Sequence, residues 1–481
     1  TVICASLEGC KDGDRLRRAL LKAAAARKPV IVMKVGSTEV GAAAAATHTG
    51  SLAGEDRIFS AVFRECGALR ASSIEEMIDI AYVCAIAPRP ASDGVGILTV
   101  SGGIGVLMAD ACIEAGLSVP PMPAEVLARI RELQPVAGGC NPIDTTAQLN
   151  GRMHIFEPIS QEMARGAELG SILFYLAHLG RNLMRFPPLE QAFAALRRTA
   201  PDRLVVAVMT SVEEIRLKLE SLGIPVFEDP SRAVKAVAGA AMLRTLQEQA
   251  VAPPAVVRGK RLALSSTNEA GAKEMLARIG VPVLPEQVCT SAEQAVAAAS
   301  SLGFPVVMKI LSDDIPHKTE VGGVLLNVTD REAVVQGFAE LMRRVHAAKP
   351  EARLDGVLVA PMVTGGVETI IGVQRDPIFG PMVMFGLGGI SVELFRDVAF
   401  ASAPLTPERA EALIASVRGA RLLDGWRGAP ALDRRALVAT LCRVSEFAAA
   451  HQDEIDSIEI NPFLVKAEGA FALDALLSQP G

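Results

Sequence analysis

Val95-Gly96-Ile97-Leu98-Thr99-Val100 runs directly into Ser101-Gly102-Gly103-Ile104-Gly105. The first six residues read as a strand, and Ser101-Gly102-Gly103 as the start of a helix. A strand that turns straight into a helix is the repeating unit of a parallel α/β sheet. Apolar runs at 171–177 and 204–210 read as further parallel strands, and Ile224-Pro225-Val226-Phe227 as a shorter one. Residues 91–247 are therefore expected to form a flavodoxin-like or Rossmann-like domain.

Upstream, residues 1–90 repeat the alternation. Thr1 to Leu7 reads as a buried strand ending in Glu8-Gly9. Arg15 to Lys22 has helical period, and Pro29 to Gly36 is the next strand. A loop of small residues carries His48, and helices open near Glu55-Asp56 and Ser73-Ile74-Glu75-Glu76. The chain opens inside a strand, with no Met and no signal-peptide pattern, so a longer parent chain is expected. Downstream, Gln247 to Ala255 is rich in Pro and Ala, which sets a linker at 248–257. Residues 258–481 mix strands with helices and carry Gly386-Leu387-Gly388-Gly389 and Glu459-Ile460-Asn461-Pro462.

The composition fits this organisation. At 481 residues the chain has room for about three domains of roughly 150 residues. Half the residues are hydrophobic and only 4% aromatic, which suits buried parallel strands covered by Ala-rich helices. The net charge of −6, without a Lys/Arg block, argues against nucleic acid and anionic membranes as partners. No apolar run reaches the roughly 18–20 residues of a membrane helix. The eight cysteines form no Cys-x-x-Cys pair; most read as small core residues, and a reducing cytoplasm is the expected home.

Three constellations could do chemistry. His48 is followed by Thr49-Gly50-Ser51, which reads as a helix start with Thr49 or Ser51 as cap. Helix starts offer unpaired N–H groups to a phosphate, so Gly50 and Ser51, with Ser101, Gly102 and Gly103, are candidate phosphate contacts. Glu8, at a strand end, could accept from the imidazole N–H and set its tautomer. His317 follows the strand Pro305 to Ile310, where Lys309 could contact a phosphate. Gly322-Gly323 would let backbone approach a nucleotide. Glu459 and Asn461, two apart on a strand, face the same side, and Asp474 could join them across a hairpin as oxygen ligands for Mg²⁺. Taken singly, each histidine also fits an ordinary surface loop. His154, His178, His346 and His451 lack a glycine or acidic frame.

Taken together, these segments resemble the ADP-forming (NDP-forming) acyl-CoA synthetases, relatives of succinyl-CoA synthetase. The resemblance is carried by Leu7-Glu8-Gly9, by Lys34-Val35-Gly36 leading to His48-Thr49-Gly50-Ser51-Leu52-Ala53-Gly54, and by Ser101-Gly102-Gly103 with Asn141-Pro142-Ile143-Asp144. Further on it is carried by Lys309, by His317-Lys318-Thr319-Glu320-Val321-Gly322-Gly323, by Arg375-Asp376-Pro377 to Glu393, and by Glu459-Ile460-Asn461-Pro462. It implies two succinyl-CoA synthetase-like α/β domains (1–90 and 91–247) followed by an ATP-grasp domain (258–481).

The resemblance also implies an activity: carboxylic acid, CoA and ATP interconvert with acyl-CoA, ADP and phosphate through an acyl phosphate and a phosphohistidine relay. His48 matches the histidine that takes the phosphoryl group, and Glu8 the acid that supports it. His317 matches the second histidine, beside a nucleotide held by Lys309, Gly322, Gly323 and Glu368, with Mg²⁺ at Glu459, Asn461 and Asp474. ATP and GTP both remain open as the nucleotide. Direct transfer needs reacting atoms about 3–3.5 Å apart, which sites on separate domains cannot both satisfy; a relay can. The family's CoA-binding domain would lie upstream of Thr1, and its Gly-Arg-Ser-Glu-type segment reads Gly36-Ser37-Thr38-Glu39 here. The chain alone is thus expected to phosphorylate itself and make little acyl-CoA, and to form a homo-oligomer. A non-catalytic, regulatory synthetase-like chain is the alternative, although such chains tend to lose the first histidine. A carboxylate–amine ligase would need neither histidine.

Overall fold

Leu7 pairs with Lys34, and that parallel register starts the first sheet. A computed structural model of the chain describes residues 1–36, 38, 40, 55–166, 168–184, 186–259, 268–315, 318–388 and 397–480. His48, Gly50, Ser51 and His317 lie outside the described residues. The chain divides into two compact units, Thr1–Asp56 with Phe63–Ala252, and Arg57–Val62 with Pro253–Gly481.

In the first unit, β1 (Ile3–Leu7), β2 (Val30–Lys34) and β3 (Leu69–Arg70) form a parallel sheet in the order β1-β2-β3. The helix Gly13–Ala25 connects β1 to β2; Asp12 caps it, accepting from the Arg15 N–H. The expectation of a buried first strand is corrected. Among the described residues β1 is an edge strand with one neighbour, and Ile3 is 42% exposed. An apolar run records only that a residue can be buried, whereas sheet order decides whether it is.

The second sheet comprises β4 (Gly94–Thr99), β5 (Ile143–Asp144), β6 (Leu169–Gly180), β7 (Leu204–Ser211) and β8 (Val226–Phe227). All pairings are parallel and the order is β5-β4-β6-β7-β8. That is the flavodoxin-like order, whose topological switch point lies between the first and third strands, here β4 and β6. Alternate residues of β6 and β7 serve the two faces. Ile172, Phe174, Val205 and Ala207 pack on one side, and Leu173, Leu204, Val206 and Val208 on the other. Phe156, Phe174 and Phe193 meet edge to face at 5.4–5.5 Å.

The helix Pro230–Glu248 joins the two sheets of this unit. Its Leu243 packs with Ile31, Leu69 and Ile80 of the first sheet layer, and its Val234 and Val237 pack beneath the second. A Cβ at Gly239 would come within 2.5 Å of Ile80 Cδ1, so only glycine permits this approach to the helix Ile74–Ile86. Arg232 then clamps Asp79 through two hydrogen bonds of 2.9 and 2.7 Å.

The second unit is antiparallel. β9 (Gln287–Cys289), β10 (Val306–Leu311), β11 (Val324–Val328) and β12 (Gly356–Pro361) form a sheet in the order β11-β10-β12-β9. β13 (Val367–Asp376), β14 (Gly380–Leu387), β15 (Val398–Ser402), β16 (Ser457–Val465) and β17 (Ala470–Ala472) form another, in the order β15-β14-β13-β16-β17, and β18 (Ala475–Ser478) pairs with β16. The helix Arg434–Ala450 buries Leu437, Leu441 and Val444 in the core of that sheet. The helix Glu269–Arg278 is followed by Pro282, whose carbonyl accepts from the Ala472 N–H at 2.9 Å. This bond brings the helix beside β17 and the turn after it.

The cysteine expectation holds in part. Cys66, Cys112 and Cys289 are buried, whereas Cys4 and Cys140 are exposed, one on the edge strand and one in a turn. No described helix is long and apolar enough to cross a membrane.

Candidate functional site

β1 and β2 end side by side, with the Val35 N–H donating to the Leu7 carbonyl at 3.0 Å. Glu8 is exposed, one residue beyond β1. Lys34 closes β2 and is only 5% exposed; its ammonium donates to the Val35 carbonyl at 2.5 Å. Burial lowers the Lys34 pKa, opposed by the Asp56 carboxylate and reinforced by the Arg70 guanidinium. Asp56 holds Arg70 through two bonds of 2.7 Å. Lys34, Gly36, Arg70 and Ser72 line a cleft of about 500 Å³ at these strand ends. His48 follows Gly36 in sequence and lies outside the described residues.

The phosphate candidates Ser101, Gly102 and Gly103 follow β4 at the carboxyl edge of the second sheet, by the switch point. Thr99 pins the turn. Its hydroxyl accepts from the Ser101 N–H at 2.9 Å and donates to the Ser101 carbonyl at 2.8 Å. Ser101 occupies the cap position of the helix Gly102–Glu114, yet its side chain makes no capping hydrogen bond. The first-turn N–H groups are thus left to solvent or a ligand. Gly103 is open, with nothing within 4 Å of an added Cβ, while Gly102 faces Asp144 Oδ2. Asn141 plays a structural part. Its amide oxygen accepts from the Ile97 N–H, and its nitrogen donates to the Val95 and Pro120 carbonyls.

In the second unit, Lys309 lies in the middle of β10 and is drawn into a cluster that reading by segments did not anticipate. Its ammonium donates to Glu269 Oε1 and to the Leu473 carbonyl, both at 2.7 Å, and lies 3.4 Å from Asp474 Oδ2. Lys318 Nζ is 2.9 Å from Glu269 Oε2 and 3.5 Å from Asp474 Oδ1. Lys273 Nζ lies 2.9 Å from Glu269 and 2.6 Å from Glu286. Burial alone would push the Glu269 pKa up, but Lys309, Lys273 and Lys318 together hold it down to about 2. Asp474 is shifted the other way. Burial raises its pKa, Glu269 adds to the rise, and the more distant Lys309 and Lys318 oppose it.

Leu473, whose carbonyl takes the Lys309 hydrogen bond, also lines a cleft of about 370 Å³ with Val363, Val367, Glu368, Leu387, Leu422 and Leu464. Glu368 is on its wall, and its carbonyl accepts from the Gly388 N–H at 2.7 Å. The predicted glycines have local reasons. Gly322 sits at φ +66°, in the left-handed region, and a Cβ on Gly323 would meet Ile310 Cγ2 at 2.8 Å. Gly323 also takes Lys318 into its fold: its N–H donates to the Lys318 carbonyl at 2.8 Å.

Glu459 and Asn461 do share a face of β16, with Asn461 Nδ2 donating to Glu459 Oε1 at 3.2 Å. Asp474 lies opposite, its carbonyl accepting from the Asn461 N–H at 3.2 Å, while its carboxylate is turned to the two lysines. Among the described residues no group of three or more His, Cys, Asp or Glu is arranged to hold a metal. The oxygen donors of Glu459, Asn461 and Asp474 fit a hard cation that keeps waters and takes its remaining ligands from phosphates. A cation there would favour the charged form of Asp474, against the burial that raises its pKa.

Sequence reasoning missed Glu269, Lys273, Glu286 and Lys318 as members of the site. One signal was available: Glu269 and Lys273 are four apart on a helix and therefore share a face. Neither their burial nor the arrival of Lys309 and Lys318 is written locally.

Residues 258–478 match the family model described as an ATP-grasp domain, and residues 1–84 the one described as a succinyl-CoA ligase like flavodoxin domain. An ADP-forming acetate–CoA ligase (isoform I) of Archaeoglobus fulgidus is 35% identical over 492 residues, spanning 98% of this chain and 69% of the relative. An ADP-forming 4-hydroxybutyrate–CoA ligase of Nitrosopumilus maritimus is 29% identical, spanning 92% of this chain and 65% of the relative. A solved chain of the dinucleotide-forming acetyl-coenzyme A synthetase 1 of Ca. Korarchaeum cryptofilum is 38% identical over 45% of this chain and 95% of its own, with a TM-score of 0.43.

Proposed function

The chain belongs to the ADP-forming acyl-CoA synthetase family, and we propose that it carries the phosphoryl-transfer stations of that reaction. The observation that carries the proposal is the pair of ammonium groups, Lys309 and Lys318, set on one buried carboxylate beside Leu473, which lines the neighbouring cleft. A cleft next to fixed cations suits a base in the cleft and a polyphosphate at the cations.

Phosphate displaces CoA from acyl-CoA to give acyl phosphate. His48 then attacks phosphorus, the acyl–O–P bond breaks, and the carboxylate leaves. Glu8 accepts the remaining imidazole N–H and keeps the attacking nitrogen unprotonated. The helix start at Ser101–Gly103 supplies N–H donors to the phosphoryl oxygens, and Gly50 and Ser51, beside His48 in sequence, are the further phosphate candidates. His317 takes the group from His48 and yields it to the terminal phosphate oxygen of ADP, giving ATP and a neutral imidazole. Lys309 and Lys318 hold the nucleotide's phosphates, and Glu368 lies on the base-proximal wall with Gly322 and Gly323 shaping the approach from β10. Glu459, Asn461 and Asp474 would hold Mg²⁺, which neutralises charge on the transferring phosphates. Run in reverse, the steps activate a carboxylic acid.

The test is labelling with γ-³²P-ATP and Mg²⁺, followed by assay for acid-labile, base-stable label. Wild type is expected to label. His317→Ala abolishes the label, while His48→Ala retains it at one site. A wild-type chain that takes no label overturns the relay.

A further inference from the structure

We propose that Glu269 is a positioning residue for the nucleotide: its carboxylate fixes the ammonium groups of Lys309 and Lys318 so that their remaining donors face the phosphates of a nucleoside diphosphate. The inference rests on the nucleotide reading of this unit and names a residue that reading did not use.

Glu269 stands in the first turn of the helix Glu269–Arg278, and its side chain is fully buried. Three ammonium groups converge on it from three different segments: Lys273 one turn along the helix, Lys309 from β10, and Lys318 from the short turn Lys318–Val321. The charges divide unequally. Lys273 has a second close carboxylate, Glu286 at 2.6 Å. For Lys309 and Lys318 the second anion among the described residues is Asp474, at 3.4 and 3.5 Å, the long end of hydrogen bonding. Glu269 is therefore the fixed partner of both lysines, and Asp474 the exchangeable one.

The donors point the same way. An ammonium has three N–H groups. Lys309 uses two in short bonds, to Glu269 and to the Leu473 carbonyl, which leaves one toward Asp474. Lys318 Nζ lies 2.9 Å from Glu269 Oε2 and 3.5 Å from Asp474 Oδ1, so it too has one close and one distant anion. A phosphate arriving between the lysines and Asp474 would take those donors without disturbing Glu269. Two long, flexible side chains are thereby ordered before the ligand arrives, which removes that entropy cost from binding.

The experiment compares ADP with adenosine, ADP by calorimetric titration and adenosine by ligand-observed NMR, on wild type, Glu269→Gln, Glu269→Asp and Lys318→Met. A positioning role acts on phosphates only. Glu269→Gln is expected to lower ADP affinity at least about ten-fold and to leave adenosine within about two-fold. Glu269→Asp keeps the buried charge and withdraws it by one methylene, so it decides the matter if the Gln variant does not fold; it is expected to show the same selective loss. The double variant Glu269→Gln/Lys318→Met is expected to be no weaker than the worse single variant by more than about two-fold, because both changes remove one unit. Equal losses for adenosine and ADP, or ADP affinity unchanged in a folded Glu269 variant, overturn the positioning role. A wild-type chain that binds neither ligand overturns the nucleotide reading itself.

Discussion

The Lys309 ammonium donates to Glu269 Oε1 at 2.7 Å although the two residues are 40 positions apart. Lys309→Met removes one of three cations from a buried carboxylate. Breaking a buried pair typically costs about 3–5 kcal/mol. Lys273 and Lys318 remain on Glu269, so the expected loss is smaller, about 1–3 kcal/mol. Urea unfolding measures it, and γ-³²P-ATP labelling of the same variant is expected to fall at least about 100-fold. Unimpaired labelling would remove Lys309 from the nucleotide site.

Acid should act on the second unit through Glu269. Its carboxyl is held at about 2 in the folded chain, against an ordinary value of 4.5. A depressed carboxyl contributes stability that is present above the unfolded value and is lost as pH falls toward the folded one. Asp474 and Glu286 carry raised values, so their protonation acts in the opposite sense and at higher pH. The stability difference between wild type and Glu269→Gln should therefore be flat above 4.5 and shrink from there down to about 2. A difference that grows on acidification contradicts the three-lysine account.

Gly103 and Gly102 should separate binding from folding. Alanine at Gly103 meets nothing within 4 Å, whereas at Gly102 its Cβ would come 2.9 Å from Asp144 Oδ2. Gly103→Ala is expected to stabilise the helix by about 0.5–1 kcal/mol while placing a methyl group over the first-turn N–H groups. Phosphate binding, followed by ³¹P NMR, should weaken although thermal stability does not. Wild-type phosphate binding in this variant would remove that helix start from the phosphate site.

Asp474→Asn should uncouple cation from nucleotide. The variant keeps the shape and removes the charge that a divalent ion needs. Mn²⁺ bound in the presence of ADP, read by electron paramagnetic resonance, is expected to weaken about ten-fold. ADP without metal should bind as tightly as to wild type or tighter, since Lys309 and Lys318 lose a competing anion. Unchanged Mn²⁺ binding would exclude Asp474 as a ligand.

Arg232→Ala supplies a contrast in the first unit. It removes the two bonds to Asp79 that tie the helix Pro230–Glu248 to the helix Ile74–Ile86. The expected cost is about 1–3 kcal/mol in thermal unfolding of that unit. ADP binding should not change.

Much of the fold was legible because its signals are contiguous. The strand ending at Thr99, the turn at Ser101 and the helix from Gly102 lie in one stretch, and three more of the five parallel strands follow from runs of the same kind; the two-residue Ile143–Asp144 strand has no such run. Glu459 and Asn461 were legible for a similar reason, since alternation on a strand fixes which side chains share a face. His48 and His317 rest on sequence, outside the described residues.

The sequence alone thus carried what depends on neighbours along the chain: the alternating units, the glycine-rich helix start after Thr99, and the motifs that mark the family. Tertiary structure alone decided what depends on segments meeting. Among the described residues β1 is an exposed edge, and no residue in Ile3–Leu7 says which strand holds that place. Glu269 became a buried counter-ion because residues 269, 309, 318 and 474 arrive from four elements at one point. A buried carboxylate is stable only where such cations converge, and convergence is a property of packing rather than of spacing.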